Sequence, residues 1–392
     1  MIERLQETFF TRFGRPPALL VRAPGRVNLL GEHTDYNQGY VFPTAIDRAI
    51  YLGAHPRQDS LVNLYSLDFE QVETFSLSSF EKVSGEGTWS NYLRGVIRIL
   101  QEEGHDLGGF DAVLVGDVPL GAGLSSSAAL EVATATMLKA LFDLPLSPKQ
   151  LAIMAQRAEN EFVGVQCGIM DPFVSALGEA DHALCIDCRD LAYRAIPLAL
   201  ASRGVSIVIV NSGQRRGLVD SEFNARRGQC EEAVGQLSAI LGRSLGSLRD
   251  LDLSTFRTVD DRLPPTLRAR ARHVLTENER VLSGVEALTQ GKIERFGQLM
   301  NQSHRSLRDD FQVSTPELDL LVALSQKQQG VIGSRLTGAG FGGCTVSLVE
   351  THALADFRER VLEPYERETG LKPAQIVTPA CDGASLIRLR PS

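Results

Sequence analysis

Long hydrophobic runs are missing from this sequence of 392 residues. No stretch approaches the run of about 18 apolar residues that a membrane-spanning helix needs. The first residues, MIERLQETFF, also lack the basic and then apolar pattern of a secretory signal. We therefore expect a cytoplasmic protein without a membrane partner.

An excess of positive charge is missing as well. The chain carries 40 lysines and arginines against 48 aspartates and glutamates, for a formal net charge of −8. Nucleic acids and anionic membranes are polyanions, so this balance excludes them as expected partners. Any anionic ligand must be held by local groups. We expect small-molecule ligands and a monomer, with a dimer left open.

Cysteine is sparse and scattered, with six in the whole chain. The one CxxC motif joins Cys185 and Cys188 and raises the alternative of zinc or redox chemistry. A zinc site of this kind needs a second pair, which the sequence lacks. Residues three apart in a strand point to opposite faces. We therefore expect reduced cysteines on a strand.

Two familiar phosphate-binding signatures are absent. No Walker motif G-x-x-x-x-G-K-[ST] occurs, and neither HRD nor DFG is present, which excludes the P-loop and protein-kinase classes. The stretch PLGAGLSSSAALEVA at 119–133 nevertheless forms a strand–loop–helix pattern rich in glycine and serine. Such a helix start is a natural oxyanion site, and its hydroxyls can cap the helix, bind phosphate or ligate magnesium. Phosphate binding and a simple helix cap both remain open from this stretch alone.

The hydrophobic pattern predicts a mixed α and β chain, long enough for two domains with a boundary near 190–205. A charge-rich stretch at 215–310 predicts solvated helical surface. Strands are predicted at 18–23, 26–31, 110–118, 182–187, 205–212, 344–350 and 384–390. Helices are predicted at 127–143, 148–164, 221–241 and 317–328.

Two further motifs stand on either side of the serine-rich loop. RAPGRVNLLGEHTDYNQGYVFPTAI (22–46) concentrates Arg, Glu, His and Asp in one strand-to-loop segment, and GSRLTGAGFGGCTVSLV (333–349) is a glycine-rich loop feeding a strand. In this order the three motifs resemble the GHMP small-molecule kinases, and GRVNLLGEHTDYN resembles their galactokinase branch. WSNYLRGV (89–96) and CGIMDPFVSALG (167–178) extend the resemblance over nearly the whole chain.

The resemblance implies a fold and an activity. It implies an α+β fold of two domains, an N-terminal α/β domain with a mixed sheet at 1–200 and a C-terminal α+β domain at 201–392, with the site in the cleft between them. It also implies ATP-dependent phosphorylation of the anomeric C1 hydroxyl of D-galactose, which gives galactose 1-phosphate and ADP. Since phosphoryl transfer depends mainly on positioning and charge neutralisation, few residues need to do chemistry.

The family's catalytic pair corresponds to Asp171 and Arg26. Asp171 would accept the proton of the C1 hydroxyl or hold that hydroxyl in line. Arg26 would stabilise the transferring phosphoryl group and keep Asp171 ionised. The alternatives are a helix cap for Asp171, which precedes Pro172, and a structural ion pair for Arg26.

The resemblance also assigns the binding residues. The sugar would contact Glu32, His33, Asp35 and Asp171, with backbone help from Gly168. Mg²⁺ would be held by Ser127 and Glu159, since Glu161 lies across the helix from Glu159. The phosphates and adenine of ATP would contact Gly121, Gly123, Ser125, Ser126, Ser127, Gly338, Gly340 and Trp89, although a core position is the alternative for Trp89.

Three positions depart from the galactokinase pattern. Phe223 and Phe311 stand where tyrosine is expected, and Ile376 replaces part of an aromatic pair. Each lost hydroxyl removes a hydrogen bond worth about 0.5–1.5 kcal/mol. The alternatives to a galactose kinase are therefore a kinase for a related sugar, such as N-acetylgalactosamine, galacturonate or arabinose, and a non-catalytic sugar sensor. The intact serine-rich loop, Arg26 and Asp171 favour a kinase over the sensor.

Overall fold

Two β-sheets organise the computed structural model, which describes residues 1–214 and 219–388. The larger sheet has eight strands in the order β12-β1-β2-β5-β3-β4, with β6 and β7 joined to β2, and the smaller has four in the order β11-β8-β10-β9. The strands are β1 Leu19–Leu30, β2 Tyr40–Pro56, β3 Leu61–Ser66, β4 Gln71–Ser76, β5 Phe110–Gly116, β6 His182–Asp187, β7 Ala192–Pro197, β8 Val205–Asn211, β9 Val331–Thr337, β10 Cys344–Glu350, β11 Ala374–Thr378 and β12 Ser385–Ile387.

Helices cover both sheets. They are α1 Ile2–Phe13, α2 Ser90–Glu102, α3 Ser126–Leu141, α4 Pro148–Arg157, α5 Met170–Leu177, α6 Val219–Leu241, α7 Leu253–Arg257, α8 Pro265–Thr289, α9 Ile293–Ser306, α10 Pro316–Lys327, α11 Leu354–Phe357 and α12 Glu363–Thr369. Capping side chains are present at α4, α7 and α10. Ser147 and Gln150 form a reciprocal capping box before α4, and Pro148 occupies its first turn.

The larger sheet is mixed, because β3 and β5 pair in parallel while β1 and β2 pair antiparallel. One hydrophobic cluster buries helices α2 to α5 against this sheet. A second cluster joins the two sheets, with Val27 and Phe42 from the larger sheet and Ile207 and Val346 from the smaller. The α+β class with a mixed N-terminal sheet is thus confirmed.

The domain division near residue 200 stays a prediction. Strand β7 ends at Pro197 and β8, in the other sheet, begins at Val205. The chain nevertheless returns at its end, since β12 pairs with β1 through Leu20 and Ile387. A few C-terminal residues therefore belong to the sheet of the first half.

Most predicted elements occur close to their expected bounds. The strands at 182–187 and 344–350 match β6 and β10, and the predicted strands at 110–118 and 205–212 are one or two residues shorter. Helices α3, α6 and α10 lie within two residues of the bounds of the helices predicted at 127–143, 221–241 and 317–328. The predicted strand at 384–390 is shorter, as β12, and its residues 389 and 390 lie outside the described residues.

Three expectations were wrong, and one long strand was missed. The strands at 18–23 and 26–31 are one strand, β1, whose pairing register shifts between Pro24 and Arg26. Strand β2 was missed because nearly every one of its residues is at least partly buried, which leaves no apolar–polar alternation. The helix at 148–164 is α4 followed by a wider π-helical turn at Ala158–Val163. The described part of the stretch at 215–310, residues 219–310, is largely helical but not purely surface, since Glu277 is fully buried.

Two further observations concern the chain as a whole. All six cysteines are free, with Cys185 buried in β6 and Cys188 immediately after it. Among the described residues, no helix is both long and apolar enough to cross a membrane.

Candidate active site

A cavity of about 200 Å³ opens where the first motif, the start of α3, the start of α5 and the third motif meet. Many of the predicted site residues line it. The lining comprises Arg26, Glu32, His33, Asp35, Ser127, Glu159, Val165, Gln166, Cys167, Gly168, Met170, Asp171, Phe223, Gly338 and Ala339.

Arg26 and Asp171 face each other across two short hydrogen bonds. Arg26 Nε donates to Asp171 Oδ1 at 2.7 Å, and Arg26 Nη2 donates to Asp171 Oδ2 at 2.7 Å. Ser125 Oγ donates to the same Asp171 Oδ2. Asp171 lies in the first turn of α5, but the cap position is Ile169, and no side chain caps this helix. The Asp171 carboxylate therefore acts toward the cavity and not as a helix cap.

The backbone around Arg26 fixes this pair. Arg26 Nη1 donates to the Gly123 carbonyl at 2.6 Å, and Arg26 N donates to the Leu124 carbonyl at 3.1 Å. The strand and the serine-rich loop come so close that a Cβ on Gly25 would lie 2.5 Å from the Leu124 oxygen. A glycine is needed at position 25 for this approach. The register shift in β1 and the loop thus jointly aim Arg26 at Asp171.

Glu32 connects the first and third motifs. Its Oε1 accepts hydrogen bonds from Gly338 N at 2.6 Å and from Thr337 Oγ1 at 3.2 Å, and Arg335 Nη2 lies 3.4 Å away. Glu32 and Arg335 are both buried, at 2% and 0% relative exposure. Burial raises the pKa of Glu32, while the charge of Arg335 opposes that effect. This contact holds the predicted sugar loop against the glycine-rich loop.

His33 is held neutral in an aromatic environment. Its Nδ1 lies 2.9 Å from Tyr36 Oη, and its ring centroid is 4.8 Å from that of Phe311. Burial, followed by the nearby imidazole of His273, lowers the pKa of His33 to about 3. His33 adopts the left-handed region, with φ of 62°. A neutral ring in this place can offer a hydrogen bond without bringing a charge.

Asp35 lies against Gly168 at the wall of the cavity. A Cβ on Gly168 would be only 1.6 Å from Asp35 Oδ2, so no larger residue fits there beside Asp35. Burial, and then the negative charge of Asp171, raise the pKa of Asp35 to about 6. The two aspartates are therefore neighbours, and both face the same space.

Ser127 and Glu159, the two predicted cation ligands, both line the cavity. Glu159 is 6% exposed. Glu161 points away, because it pairs with Arg157 at 2.8 Å and is exposed. Of these two glutamates of the π-helical turn, Glu159 is in the cavity lining and Glu161 is not. A hydroxyl and a carboxylate are oxygen ligands that suit Mg²⁺.

The remaining predicted residues lie outside the lining. Gly121, Gly123 and Gly340 have positive φ and shape the two loops, and Ser126 starts α3. Trp89 is a core residue at 7% exposure, with its ring 6.3 Å from that of Phe69 and Nε1 donating to Gln71 at 2.9 Å. An adenine contact by Trp89 stays a prediction. Its surroundings are those of a core residue, which was the alternative.

Sequence reasoning missed several residues at the site. Arg335 sits in a strand that was not predicted, and Glu131 and Glu277 are fully buried acids on helices. Gln166 and Ala339 line the cavity beside predicted residues. Arg335 and Ala339 lie within the third motif, which was a signal, and Gln166 directly precedes the motif at 167–178. A buried charge on a helix has no such signal in the sequence.

The geometry agrees with comparisons to known proteins. The GHMP kinase N-terminal domain matches residues 91–179, the galactokinase galactose-binding signature matches 7–56, and the GHMP kinase C-terminal domain matches 285–367. A galactokinase of Roseiflexus sp. (strain RS-1) is 49% identical over 383 residues, covering 98% of this chain and 96% of the relative. The chain belongs to the galactokinase family.

Other relatives support this assignment. A galactokinase of Chloroflexus aurantiacus is 47% identical over 386 residues, covering 98% of each chain. The crystal structure of Lactococcus lactis galactokinase complexed with galactose superposes with a TM-score of 0.93 at 38% identity, covering 98% of this chain and 99% of that chain. Mevalonate kinase of Methanococcus jannaschii, at 18% identity, covers 93% and 98% with a TM-score of 0.66 and shares the fold.

One of the three departures from the galactokinase pattern faces the cavity. Phe223 lines it, with its ring 5.6 Å from that of His33 and 5.2 Å from that of Tyr36. Phe311 is fully buried between the two histidine rings, and Ile376 packs against the core between the sheets. A change of sugar contact in this galactokinase-family chain could therefore arise only through Phe223 among these three.

Proposed function

We propose that this chain transfers the γ-phosphoryl group of ATP to the C1 hydroxyl of D-galactose, with Asp171 and Arg26 as the catalytic pair. The two-fold hydrogen-bonded contact between these side chains on the cavity wall carries the proposal. The pair lines the same cavity as the predicted sugar residues, Glu32, His33 and Asp35, and the predicted cation residues. Donor and acceptor would thus meet at the pair.

Asp171 serves as the group that orients the sugar hydroxyl. Both carboxylate oxygens are already engaged by Arg26, and one also by Ser125. These contacts fix the orientation of the carboxylate, so Asp171 holds the C1 hydroxyl in line. It takes the hydroxyl proton as the new oxygen–phosphorus bond forms and the bond from the γ-phosphorus to ADP breaks. Arg26 offers its guanidinium to the negative charge of the transferring group.

The charges on the lining explain why a divalent cation belongs in this reaction. Glu32, Asp35, Glu159 and Asp171 place carboxyl groups on the cavity, and in the described part of the chain Arg26 brings the one permanent positive charge to this lining. A triphosphate entering alone would be repelled by this surface. Ser127 and Glu159 supply the oxygen ligands that would hold Mg²⁺. When bound, Mg²⁺ neutralises phosphate charge and aligns the phosphates.

The sugar residues form the other half of the proposal. Asp35 lies beside Asp171, where it can accept hydrogen bonds from ring hydroxyls close to C1. Glu32 and His33 read hydroxyls farther along the ring, and Gly168 keeps space for Asp35. A related-sugar kinase or a sugar sensor is not favoured, because the full-length relatives are galactokinases and because Arg26 and Asp171, the proposed catalytic pair, are hydrogen-bonded to each other.

ADP release tests this function directly. We expect purified protein with ATP and Mg²⁺ to release ADP fastest with galactose, and much more slowly with glucose, talose, arabinose, galacturonate or N-acetylgalactosamine. Omission of Mg²⁺, with EDTA present, should abolish release. A faster reaction with another sugar would move the specificity, and ATP binding without ADP release on any sugar would contradict catalysis.

We further propose a cytoplasmic monomer, whose acidic net charge disfavours binding to an anionic membrane surface. Light scattering on the purified chain would distinguish a mass near 42.8 kDa from its double.

A further inference from the structure

Glu131 is a fully buried glutamate on α3. Its side chain has 0% relative exposure, and neither carboxyl oxygen has a hydrogen-bond partner among the described residues. An acidic group buried without a partner destabilises the folded protein. The fold thus contains an acid that it leaves unsatisfied.

The position of Glu131 on α3 directs it toward the phosphate end of the cavity. Ser127, which lines the cavity, lies four residues earlier on α3, and residues at this spacing share one face of a helix. Burial, followed by the negative charges of Glu159 and Asp171, raises the pKa of Glu131 well above its ordinary value. The carboxyl group of Glu131 is therefore close to two acids that line the cavity.

The nearby thiol gives the same placement from another direction. Burial, and then the charges of Glu159 and Glu131, raise the pKa of Cys167. Cys167 lines the cavity. Glu131 therefore lies near Glu159 and Cys167, which line the cavity, and in the described part of the chain the charges that act on its carboxyl group are those of Glu159 and Asp171.

We infer that Glu131 is a third oxygen-bearing residue of the site for the divalent cation of ATP, behind Ser127 and Glu159, and reaches the cation directly or through one water. This inference rests on the proposed Mg²⁺ requirement. Mg²⁺ takes oxygen ligands and keeps several of its waters, which carboxylates around the first ligands orient. A bound cation would supply the partner that the protein does not give to Glu131.

If Glu131 had a purely structural role, its replacement would lower the stability of the unliganded protein and leave cation binding unchanged. An unpartnered buried acid contributes nothing favourable to folding, so a neutral side chain of similar size should be tolerated or preferred. If Glu131 serves the cation, its replacement should leave the unliganded protein as stable or more stable, and should weaken the linkage between cation and nucleotide. Stability and cation linkage then change in opposite directions.

The test compares ADP affinity with and without cation in Glu131→Gln. Calorimetry measures the dissociation constant of ADP in excess Mn²⁺ and in EDTA, and the ratio of the two constants reports the cation linkage. We expect the variant to lower this ratio about tenfold or more, with a melting temperature of the unliganded protein equal to or above that of wild type. Glu161→Gln, which removes an exposed carboxylate nearby, should leave the ratio unchanged.

Each outcome separates the inference from the proposed function. A ratio that is large in wild type and equally large in Glu131→Gln would overturn the role of Glu131 while the cation requirement stands. A ratio near one in wild type would contradict the cation requirement and the inference together. If Glu131→Gln does not fold, Glu131→Met has similar length without polar atoms, and a wild-type ratio in that variant would equally overturn the inference.

Discussion

Glu277 and Glu131 are two glutamates with the same burial and opposite surroundings. Both side chains have 0% relative exposure. Glu277 accepts hydrogen bonds from Gly31 N at 2.8 Å and Ser303 Oγ at 2.7 Å, and pairs with Arg280 at 2.6 Å. Glu131 has no hydrogen-bond partner in the described part of the chain. The difference lies in what satisfies each acid.

The pKa values follow these partners. Burial raises the pKa of Glu277, but the charges of Arg280, His273 and Arg335 outweigh it, and the pKa falls to about 2. Glu277 stays ionised and links α8 to α9 and to Gly31, at the start of the sugar loop. Burial, and then the charges of Glu159 and Asp171, raise the pKa of Glu131 well above its ordinary value. Glu277, with its partners, thus stabilises the fold, whereas Glu131 is inferred to obtain its partner from a bound cation.

Asp171 differs from both glutamates, because its carboxylate has hydrogen-bond partners in the protein and is nevertheless proposed to be catalytic. We expect Asp171→Asn to lower kcat about 10³-fold, since an amide cannot take the hydroxyl proton. ATP affinity, measured by calorimetry, should change little, because Asp171 does not hold the phosphates.

A matched control is Asp187→Asn, which alters an aspartate paired with Arg249 at 3.3 Å and absent from the cavity lining. This control should keep its kcat. A kcat for Asp171→Asn within a few-fold of wild type would make the Arg26–Asp171 pair structural.

The stabilising role of Glu277 gives the next largest effect. We expect Glu277→Ala to lower the free energy of unfolding by about 3 kcal/mol, because Arg280 is left without its partner. Equilibrium urea denaturation measures this loss. The lowered pKa means that the ionised Glu277 stabilises the protein above its unfolded pKa of about 4.3, and that this stabilisation is lost as the pH falls toward about 2. The difference in the free energy of unfolding between wild type and Glu277→Ala should therefore become smaller as the pH is lowered.

Glu286→Ala is the matched control on the same helix, since Glu286 is exposed. Its free energy of unfolding should stay within about 0.5 kcal/mol of wild type. Equal losses in the two variants would show that the hydrogen bonds of Glu277 contribute nothing special.

The same contrast explains how much of the site the sequence could predict. Arg26, Glu32, His33 and Asp35 share one motif, so their proximity follows from chain connectivity alone. Asp171 was assigned through the family resemblance, and the structure brings it to Arg26. The fold class was predictable for the same reason, because three long motifs in a fixed order identify the family.

The rest could not be predicted, because it depends on tertiary contacts. Glu131 and Glu277 resemble ordinary helical surface residues in the sequence, and only packing buries them. Strand β9 contains a glycine and an arginine, which gave it the pattern of a loop, while burial against α9 and β10 makes it a strand. Strand β2 could not be recognised in the sequence, because burial on both faces removes the alternation of apolar and polar residues.

The smallest expected effect concerns Asp35. Its pKa is raised, as that of Glu131 is, but less strongly, whereas the pKa of Glu277 is lowered. The Asp35 pKa of about 6 reflects burial and the charge of Asp171, so the unliganded protein binds a proton there as the pH falls below that value. A protonated Asp35 is a poorer acceptor for sugar hydroxyls, so galactose must bind the ionised fraction. That fraction is about one tenth at pH 5, so we expect the KM for galactose to rise about tenfold between pH 7.5 and pH 5.

The KM for ATP over the same pH range is the internal comparison, and it should change less, because Asp35 is assigned to the sugar. Asp35→Asn cannot titrate, so its KM for galactose should be higher than that of wild type at pH 7.5 and nearly independent of pH. A wild-type KM that does not change with pH, or an equal slope in Asp35→Asn, would show that the proton on Asp35 does not govern sugar binding. In that case the carboxylate would belong with Glu277, as a group whose partners are already in the protein.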